Sequence, residues 1–273
     1  MTTEHPPVPI PSATIIIGRE SSQGFEIFMV VRHQQIDFAS GALVFPGGKT
    51  EPGDHDPEIR QYCVGAEDLS DQDLATRVAA IRETFEESGI LLARQKGDDG
   101  IVPGARLREL KNYREKLTTE STNLLDFLKA ESLTLAIDHL TLFAHWITPE
   151  MMPKRFDTFF YLAEAPQDHL GAHDGSESVD SLWISPQQAL AENEAEKHTI
   201  IFPTRMNIQK LGRSTTLSAA ITTAKNSPVV SVQPWVENRE SGPFLCIPEE
   251  ADYDITAESL DKIIRDAKSA LPG

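Results

Sequence analysis

The segment between Leu74 and Glu87 has the apolar spacing of a helix that buries one face. In an ideal helix, which advances about 100° per residue, its bulky apolar residues fall within roughly 40° of Leu74. These residues are Leu74, Val78, Ile81 and Phe85. Three acids lie on the opposite side, and they are Glu83, Glu86 and Glu87. The segment is therefore predicted to pack against a core and to present a turn of carboxylates on its other face.

Three carboxylates on one helical turn repel each other by roughly a few tenths of a kcal/mol per pair, and folding does not need them. A divalent cation reverses this interaction, because hard cations prefer oxygen ligands. Taken alone, the acids indicate a solvated face. The upstream turn Pro46-Gly47-Gly48 and the helix-ending Gly89 favour a ligand site instead, since paired glycines let the backbone approach a ligand closely.

This arrangement resembles the Nudix box, G-x5-E-x7-R-E-U-x-E-E-x-G-U, in which U is a bulky aliphatic residue. Its second half matches the run from Arg82 to Ile90, with Thr84 at the first U position. The first half begins at Gly48 and has Asp54 where the pattern has glutamate. Arg82 comes 20 positions later than the pattern expects, so the box is interrupted between residues 55 and 75.

An interrupted box is typical of one Nudix subgroup, which includes coenzyme A diphosphatases of the RP2 type. The similarity extends to three further segments, 38–48, 145–160 and 177–186, and covers residues 12–215 of the chain. The resemblance implies a Nudix hydrolase fold. We expect an α/β protein, a Nudix α/β/α sandwich with a mixed sheet, helical insertions and a C-terminal extension.

The same comparison suggests how the chain is organised. We expect a flexible lead-in at residues 1–11 and a Nudix hydrolase domain at 12–225, with insertions at 55–75 and 95–135. Residues 226–273 should form an extension packed on the same domain. Within it, the apolar patterns predict a strand at Val229–Val236 and an amphipathic helix at Ala257–Ala267.

The resemblance also implies roles for individual residues. Glu83, Glu86 and Glu87 should hold catalytic Mg²⁺ or Mn²⁺, with Arg82 orienting these carboxylates, and Glu177 is the candidate for a remote ligand or general base. The candidates for substrate contact are Arg32, Lys49, Arg155, Gly47 and Gly48. Basic residues at strand ends are also common on surfaces that bind nothing, and this alternative stays open for the three cations.

The implied reaction is attack of water on the diphosphate of a nucleotide derivative. The subgroup favours coenzyme A or acyl-coenzyme A, which would give 3′,5′-ADP and a phosphopantetheine product. Within the superfamily, the alternative substrate is ADP-ribose or an NADH-type nucleotide. The alternative of another class is a non-catalytic ligand sensor of the same fold, and the presence of all three box glutamates argues against it.

The formal net charge of −17 disfavours nucleic acid and anionic membranes as partners. It also repels a phosphorylated substrate, which would need local positive charge such as a bound metal ion. No apolar run approaches the ~20 residues of a membrane span, and the N-terminus lacks the pattern of a signal peptide. Cys63 and Cys246 fit neither a zinc site nor a disulfide framework. We therefore expect a cytoplasmic protein, with a homodimer as one option.

Overall fold

The computed structural model describes residues 6–22, 24–32, 42–169 and 178–268, and within these ranges the chain forms thirteen strands and eight α-helices. The strands are β1 (Ile10–Ser21), β2 (Gly24–Arg32), β3 (Leu43–Val44), β4 (Gly47–Lys49), β5 (Ala93–Gln95), β6 (Leu133–Leu135), β7 (Thr141–Ile147), β8 (Phe156–Glu164), β9 (Ser178–Ile184), β10 (Ser231–Val232), β11 (Trp235–Arg239), β12 (Gly242–Cys246) and β13 (Ala257–Ser259). The helices are α1 (Asp71–Ser88), α2 (Gly104–Glu109), α3 (Lys111–Thr118), α4 (Leu124–Glu131), α5 (Pro186–Glu194), α6 (Phe202–Leu211), α7 (Leu217–Asn226) and α8 (Leu260–Lys268). Among the helices of this part of the chain, none combines the length and hydrophobicity that a membrane span needs.

Most strands join one mixed sheet in the order β10-β7-β8-β1-β2-β3. β1 runs parallel to β8 and β7 runs parallel to β10, whereas the other neighbouring pairs are antiparallel. Two further strands attach to this order, since β4 pairs with β1 and β9 pairs with β2. The register aligns Gly47 with Thr14 and Gly48 with Ala13. Gly47 and Gly48, which the sequence placed in a turn, therefore belong to strand β4 and lie beside the first half of β1; we keep the name glycine turn for these two residues.

Helices cover both faces of this sheet. Successive side chains of β1 point to opposite faces, and they enter two different cores. Ile15 and Ile17 pack with apolar residues of α1 and α4 on one face. Ile16 packs with apolar residues of α6 and α7 on the other. The expected α/β/α sandwich with a mixed sheet is thus confirmed.

Helix α1 lies on the first of these faces and begins slightly before the predicted stripe. Ser70 caps it, because its hydroxyl accepts a hydrogen bond from the backbone amide of Asp73 at 3.1 Å. Gly89 follows its last residue in the left-handed conformation, with φ of 72°, which glycine adopts without a steric penalty. The predicted apolar stripe is buried in full, so the core face of the helix is confirmed.

The residues that interrupt the box begin at the end of one short 3-10 helix, Pro52–His55, and form a second one, Pro57–Tyr62, a loop and the first turn of α1. Ile59 is buried in the same hydrophobic core as the apolar face of α1. Arg60 donates to the carbonyl of Leu69 at 3.0 Å and to the carboxylate of Asp71 at 2.8 Å. These contacts tie the interruption to the start of α1, and the entropic cost of a longer connection rises only slowly with its length.

The C-terminal segment differs from the sequence prediction in two places. The predicted strand Val229–Val236 is wrong as a single element, because β10 joins the central sheet while β11 joins a separate three-stranded sheet. Pro234, which has no amide hydrogen to donate, stands between them. The predicted helix Ala257–Ala267 is wrong at its start, since Ala257–Ser259 pairs with β12 before α8 begins. Pairing with a neighbouring strand overrides local helix preference there.

Candidate active site

The Gly47–Gly48 turn is in direct contact with the acidic end of α1. The backbone amide of Gly47 donates to Oε2 of Glu87 at 3.0 Å. A Cβ atom at Gly48 would lie only 2.3 Å from Oε1 of Glu83. A Cβ atom at Gly47 would lie 2.4 Å from the carbonyl oxygen of Ala13 in β1. Close approach to the backbone of β1 therefore requires glycine at Gly47, whereas at Gly48 a side chain would displace the carboxylate of Glu83.

Arg82 links the two halves of the box. It is buried, and its Nε and Nη2 donate to the two carboxylate oxygens of Asp54 at 3.0 and 2.9 Å. Its Nη2 also donates to the carbonyl of Lys49 at 3.1 Å. Burial lowers the pKa of Arg82, but the hydrogen bond and charge of Asp54, together with nearby glutamates, raise it by more. The guanidinium thus stays charged and fixed between the glycine turn and the helix.

The same guanidinium faces the cleft acids. Its Nη1 donates to Oε1 of Glu83 at 3.0 Å and to Oε1 of Glu86 at 3.3 Å. The pKa of the Glu86 carboxyl is raised to about 7, because burial and the charges of Glu83 and Glu51 raise it by more than Arg82 lowers it. The elevated pKa reports an excess of negative charge in a poorly solvated place.

A second arginine, which the sequence analysis did not identify, holds the end of the acidic turn. Arg114 of α3 donates from Nε to the carbonyl of Glu86 at 2.7 Å and from Nη2 to the carbonyl of Glu87 at 2.6 Å. The last carbonyls of a helix lack partners within it and carry partial negative charge, so a cation is favourable there. Arg114 lies outside the box and at a sequence distance of 28 from Glu86, and no local pattern announces such a contact.

The acids open into a cleft of about 1220 Å³. Its polar end contains the glycine turn, one lysine and three cleft-facing acids. These residues are Gly47, Gly48, Lys49, Glu51, Glu83 and Glu86. Its other end is predominantly apolar and extends to the β7–β8 hairpin, the start of α6 and the C-terminal segment. Glu87 does not line the cleft, and it lies behind the other two glutamates, on the amide of Gly47.

The oxygen donors at the polar end suit a hard divalent cation. One guanidinium faces four carboxylates, those of Glu51, Asp54, Glu83 and Glu86, at distances of 2.9 to 4.0 Å. As the side chains stand, no three carboxylate, imidazole or thiol groups of the described residues surround one point as metal ligands. Glu83 and Glu86 turn instead toward Arg82. The surplus of negative charge and the all-oxygen donor set fit a cation that these two side chains could reach.

The remaining residues singled out from the sequence have different surroundings. Lys49 is exposed at the polar end of the cleft. Arg155 is 5% exposed and donates to the carbonyls of Thr148 at 3.0 Å and Pro7 at 2.9 Å, so it holds backbone rather than facing the cleft. Arg32 ends β2, and its side chain is outside the described part of the structure. Glu177 lies outside the described residues altogether.

Residues 64–211, more than half of the chain, match the family model of the NUDT19 Nudix domain. The chain belongs to the Nudix family. The matched region includes the acidic turn of α1, and the structure brings Gly48 and Asp54, which precede it, into contact with that turn. The interrupted Nudix box is therefore assembled in space.

Known Nudix proteins agree with this assignment. The acyl-coenzyme A diphosphatase NUDT19 of Xenopus laevis is 25% identical over 232 residues, covering 71% of this chain and 61% of that protein. The protein of the same name from Homo sapiens is 25% identical over 236 residues, covering 72% of this chain and 63% of that protein. The chain spans about three fifths of the length of these curated relatives.

Among solved structures, the crystal structure of a Nudix hydrolase from Alicyclobacillus acidocaldarius has a TM-score of 0.63 and 27% sequence identity. The similarity covers 81% of this chain and 99% of that one. It supports the fold over most of the Nudix chain.

Proposed function

We propose that this Nudix chain hydrolyses the diphosphate of coenzyme A and its acyl thioesters. The observation that carries the proposal is the convergence of Glu83 and Glu86 with the Gly47–Gly48 turn at the polar end of one large cleft. The names of the amphibian and human relatives support coenzyme A thioesters as substrates. Water would attack one phosphorus of the diphosphate, and the bond between that phosphorus and the bridging oxygen would break. The products would be 3′,5′-ADP and phosphopantetheine or its acyl thioester.

Nudix hydrolases generally use divalent metal ions, and we propose Mg²⁺ or Mn²⁺ here, held by Glu83 and Glu86 at the cleft. Glu87, the third ligand predicted from the sequence, would contribute only its other carboxylate oxygen, because its Oε2 accepts from the amide of Gly47. When bound, such an ion neutralises charge developing on the diphosphate and lowers the pKa of a coordinated water. Arg82 would orient the first two carboxylates, because its Nη1 already donates to both. Glu87 would also fix the glycine turn through the amide of Gly47.

Substrate contacts are proposed for the residues at the polar end. Gly47 and Gly48 line the cleft beside Glu83, where the phosphates of the substrate would bind, and Lys49 offers an ammonium group at the same place. Arg32 remains a sequence prediction for phosphate contact, and Glu177 remains one for the general base. Arg155 does not face the cleft, because its guanidinium is buried and donates to two backbone carbonyls.

A panel of diphosphates tests this function. Coenzyme A, an acyl-coenzyme A, ADP-ribose and NADH are incubated with the protein and Mg²⁺ or Mn²⁺, and the products are identified by mass. We expect 3′,5′-ADP from the first two and its loss in Glu86→Gln, with exposed Glu67→Gln as a matched control. Cleavage of ADP-ribose alone would refute the proposed substrate, and binding without cleavage of any compound would indicate a sensor.

We carry two further proposals from the sequence, a cytoplasmic location and self-association as a homodimer. Cell fractionation and light scattering of the purified chain test them. A monomeric mass at micromolar concentration would overturn the second proposal, and enrichment in an organelle fraction would overturn the first.

A further inference from the structure

The cleft of the Nudix chain is lined by a large set of apolar residues in addition to the box acids, and we call this apolar part of the cleft its apolar arm. Three parts of the chain build it, namely the β7–β8 hairpin with Trp146 and Met151, the start of α6 with Phe202, and the C-terminal segment with Leu245, Ile263 and Ile264. The C-terminal segment lies beyond the region that matches the Nudix family model, which ends at residue 211. Residues inside the matched region and residues of the C-terminal segment therefore line the same cleft.

The C-terminal wall of the apolar arm is anchored to the domain core. Tyr253 is buried, accepts a hydrogen bond from Nε1 of Trp146 at 2.9 Å and donates to Oδ1 of Asn207 at 2.7 Å. Arg205 of α6 is paired with Glu258 of β13. Buried polar bonds of this kind fix the relative placement of the elements they join. The wall is thus a built part of the cleft.

The charges on the C-terminal side of the apolar arm are directed at each other, while Lys154 of the hairpin lies over the ring of Phe156. Glu258 accepts from both Arg205 and Lys262, the latter at 2.7 Å. A ligand group that enters here meets hydrocarbon side chains and a paired set of charges. Such a lining suits an aliphatic chain better than a nucleobase, whose polar edge loses hydrogen bonds to water without replacing them.

Two large apolar side chains that line the cleft are exposed. Met151 on the hairpin is 56% exposed and Ile264 on α8 is 43% exposed, and both line the cleft. Methionine adapts its shape to irregular apolar partners, and neighbouring exposed apolar groups mark binding surfaces. A flexible hydrocarbon chain between them would remove both side chains from water.

We propose that the apolar arm binds the acyl chain of an acyl-coenzyme A and that the C-terminal segment sets the preferred chain length. The proposal rests on the proposed function for the location of the diphosphate at the box acids. It adds the direction in which the substrate lies, with its diphosphate at Glu83 and Glu86 and its acyl end between Met151 and Ile264. One acyl-coenzyme A molecule could occupy both places, because the box acids and the apolar arm line one continuous cleft.

The test measures binding without hydrolysis. Dissociation constants of coenzyme A and its butyryl, octanoyl and lauroyl thioesters are measured by titration calorimetry in EDTA, below micelle-forming concentrations. Each methylene that is fully buried strengthens binding by up to about fourfold, so lauroyl-coenzyme A should bind at least about tenfold more tightly than coenzyme A. Equal dissociation constants across the series would overturn the proposal.

Two variants locate the arm. Ile264→Asp and Met151→Asp each place a charge on one side of it, at exposed positions where folding tolerates the change. Each should weaken lauroyl-coenzyme A by at least about tenfold and leave unacylated coenzyme A unchanged. Val64→Asp is the matched control, since Val64 is 37% exposed and does not line the cleft. An unchanged chain-length series in both variants would place the acyl chain elsewhere and refute the proposal.

Hydrolysis with Mg²⁺ separates the two proposals. Loss of the chain-length dependence while coenzyme A is still cleaved would refute the acyl arm and leave the proposed function standing. Chain-length-dependent binding of thioesters that are never cleaved would support the arm and refute the diphosphatase activity.

Discussion

Arg82 and Asp54 lie 28 positions apart in the sequence, yet they form a two-bond ion pair in the interior of the Nudix domain, with N–O distances of 3.0 and 2.9 Å. The interruption of the box lies between them. Asp54 is 1% exposed and Arg82 is 4% exposed, so neither charge has water as an alternative partner. The pair holds the start of the interruption against the helix on which the box acids stand.

Replacement of one partner of this pair should destabilise the Nudix fold. Asp54→Ala leaves the Arg82 guanidinium buried with fewer acceptors, and breaking a buried pair costs about 3–5 kcal/mol. Urea unfolding of Asp54→Ala, Arg82→Ala and the double variant measures this cost, with Glu67→Ala as a surface control. The double variant should lose less than the sum of the single losses, because the two side chains are coupled. Additive losses would show that the pair contributes little.

The two glycines of the turn should respond differently to alanine. At Gly48 the new methyl meets the carboxylate of Glu83, which is the end of a movable side chain, so the free energy of unfolding should change by less than about 1 kcal/mol. Diphosphatase activity should nevertheless fall at least about tenfold, since Glu83 is displaced. At Gly47 the methyl meets the backbone of β1, and stability itself should fall by about 1–3 kcal/mol.

Gly53→Ala is the matched control for both glycine variants, because a Cβ atom there meets nothing within 4 Å. Thermal unfolding and initial rates are measured for all three variants. Full activity in Gly48→Ala would show that Glu83 does not need its present position. A stability loss at Gly53 as large as that at Gly47 would remove the argument from close approach.

Arg114 offers a test of how the acidic turn is positioned. Arg114→Ala removes two hydrogen bonds to the carbonyls of Glu86 and Glu87, and bonds from a charged donor contribute about 1.5–3 kcal/mol each. We expect reduced thermal stability and a lower kcat with little change in KM, because the acids rather than the substrate are disturbed. Arg114→Lys, which presents a single ammonium group, should restore only part of both. A variant with unchanged kcat would make Arg114 a purely structural residue.

Much of the site was predictable from the sequence because the signals are local. The apolar stripe of α1, its terminal glycine and the acids at fixed helical offsets follow from one periodic segment, and the Nudix resemblance supplied the sheet between helices. The roles of Asp54 and Arg114 were less accessible. Asp54 departs from the usual glutamate of the box, and Arg114 reaches the site only through the packing of α3 on α1.

The C-terminal segment shows where local patterns fail. The sequence pattern predicts a helix that starts at Ala257, but Ala257–Ser259 pairs with β12. That strand lies outside the segment from which the helix was predicted. Arg155 similarly resembles a phosphate ligand at a strand end, and only the tertiary structure shows its guanidinium on the carbonyls of Thr148 and Pro7. In both cases the partner is supplied by the fold, and the residue type alone does not identify it.

Divalent cations should stabilise the Nudix domain through the box acids. An ion that binds only the folded state adds about 2.7 kcal/mol at a concentration one hundred times its dissociation constant, which thermal unfolding with increasing Mg²⁺ or Mn²⁺ detects. Glu83→Gln and Glu86→Gln each remove a carboxylate from a site where four acids face one guanidinium, so the cation-induced rise in Tm should shrink or vanish. Glu67→Gln should retain the full rise, and EDTA should abolish hydrolysis in the wild type. An equal rise in all three variants would place the cation away from α1 and would remove the metal site from the box.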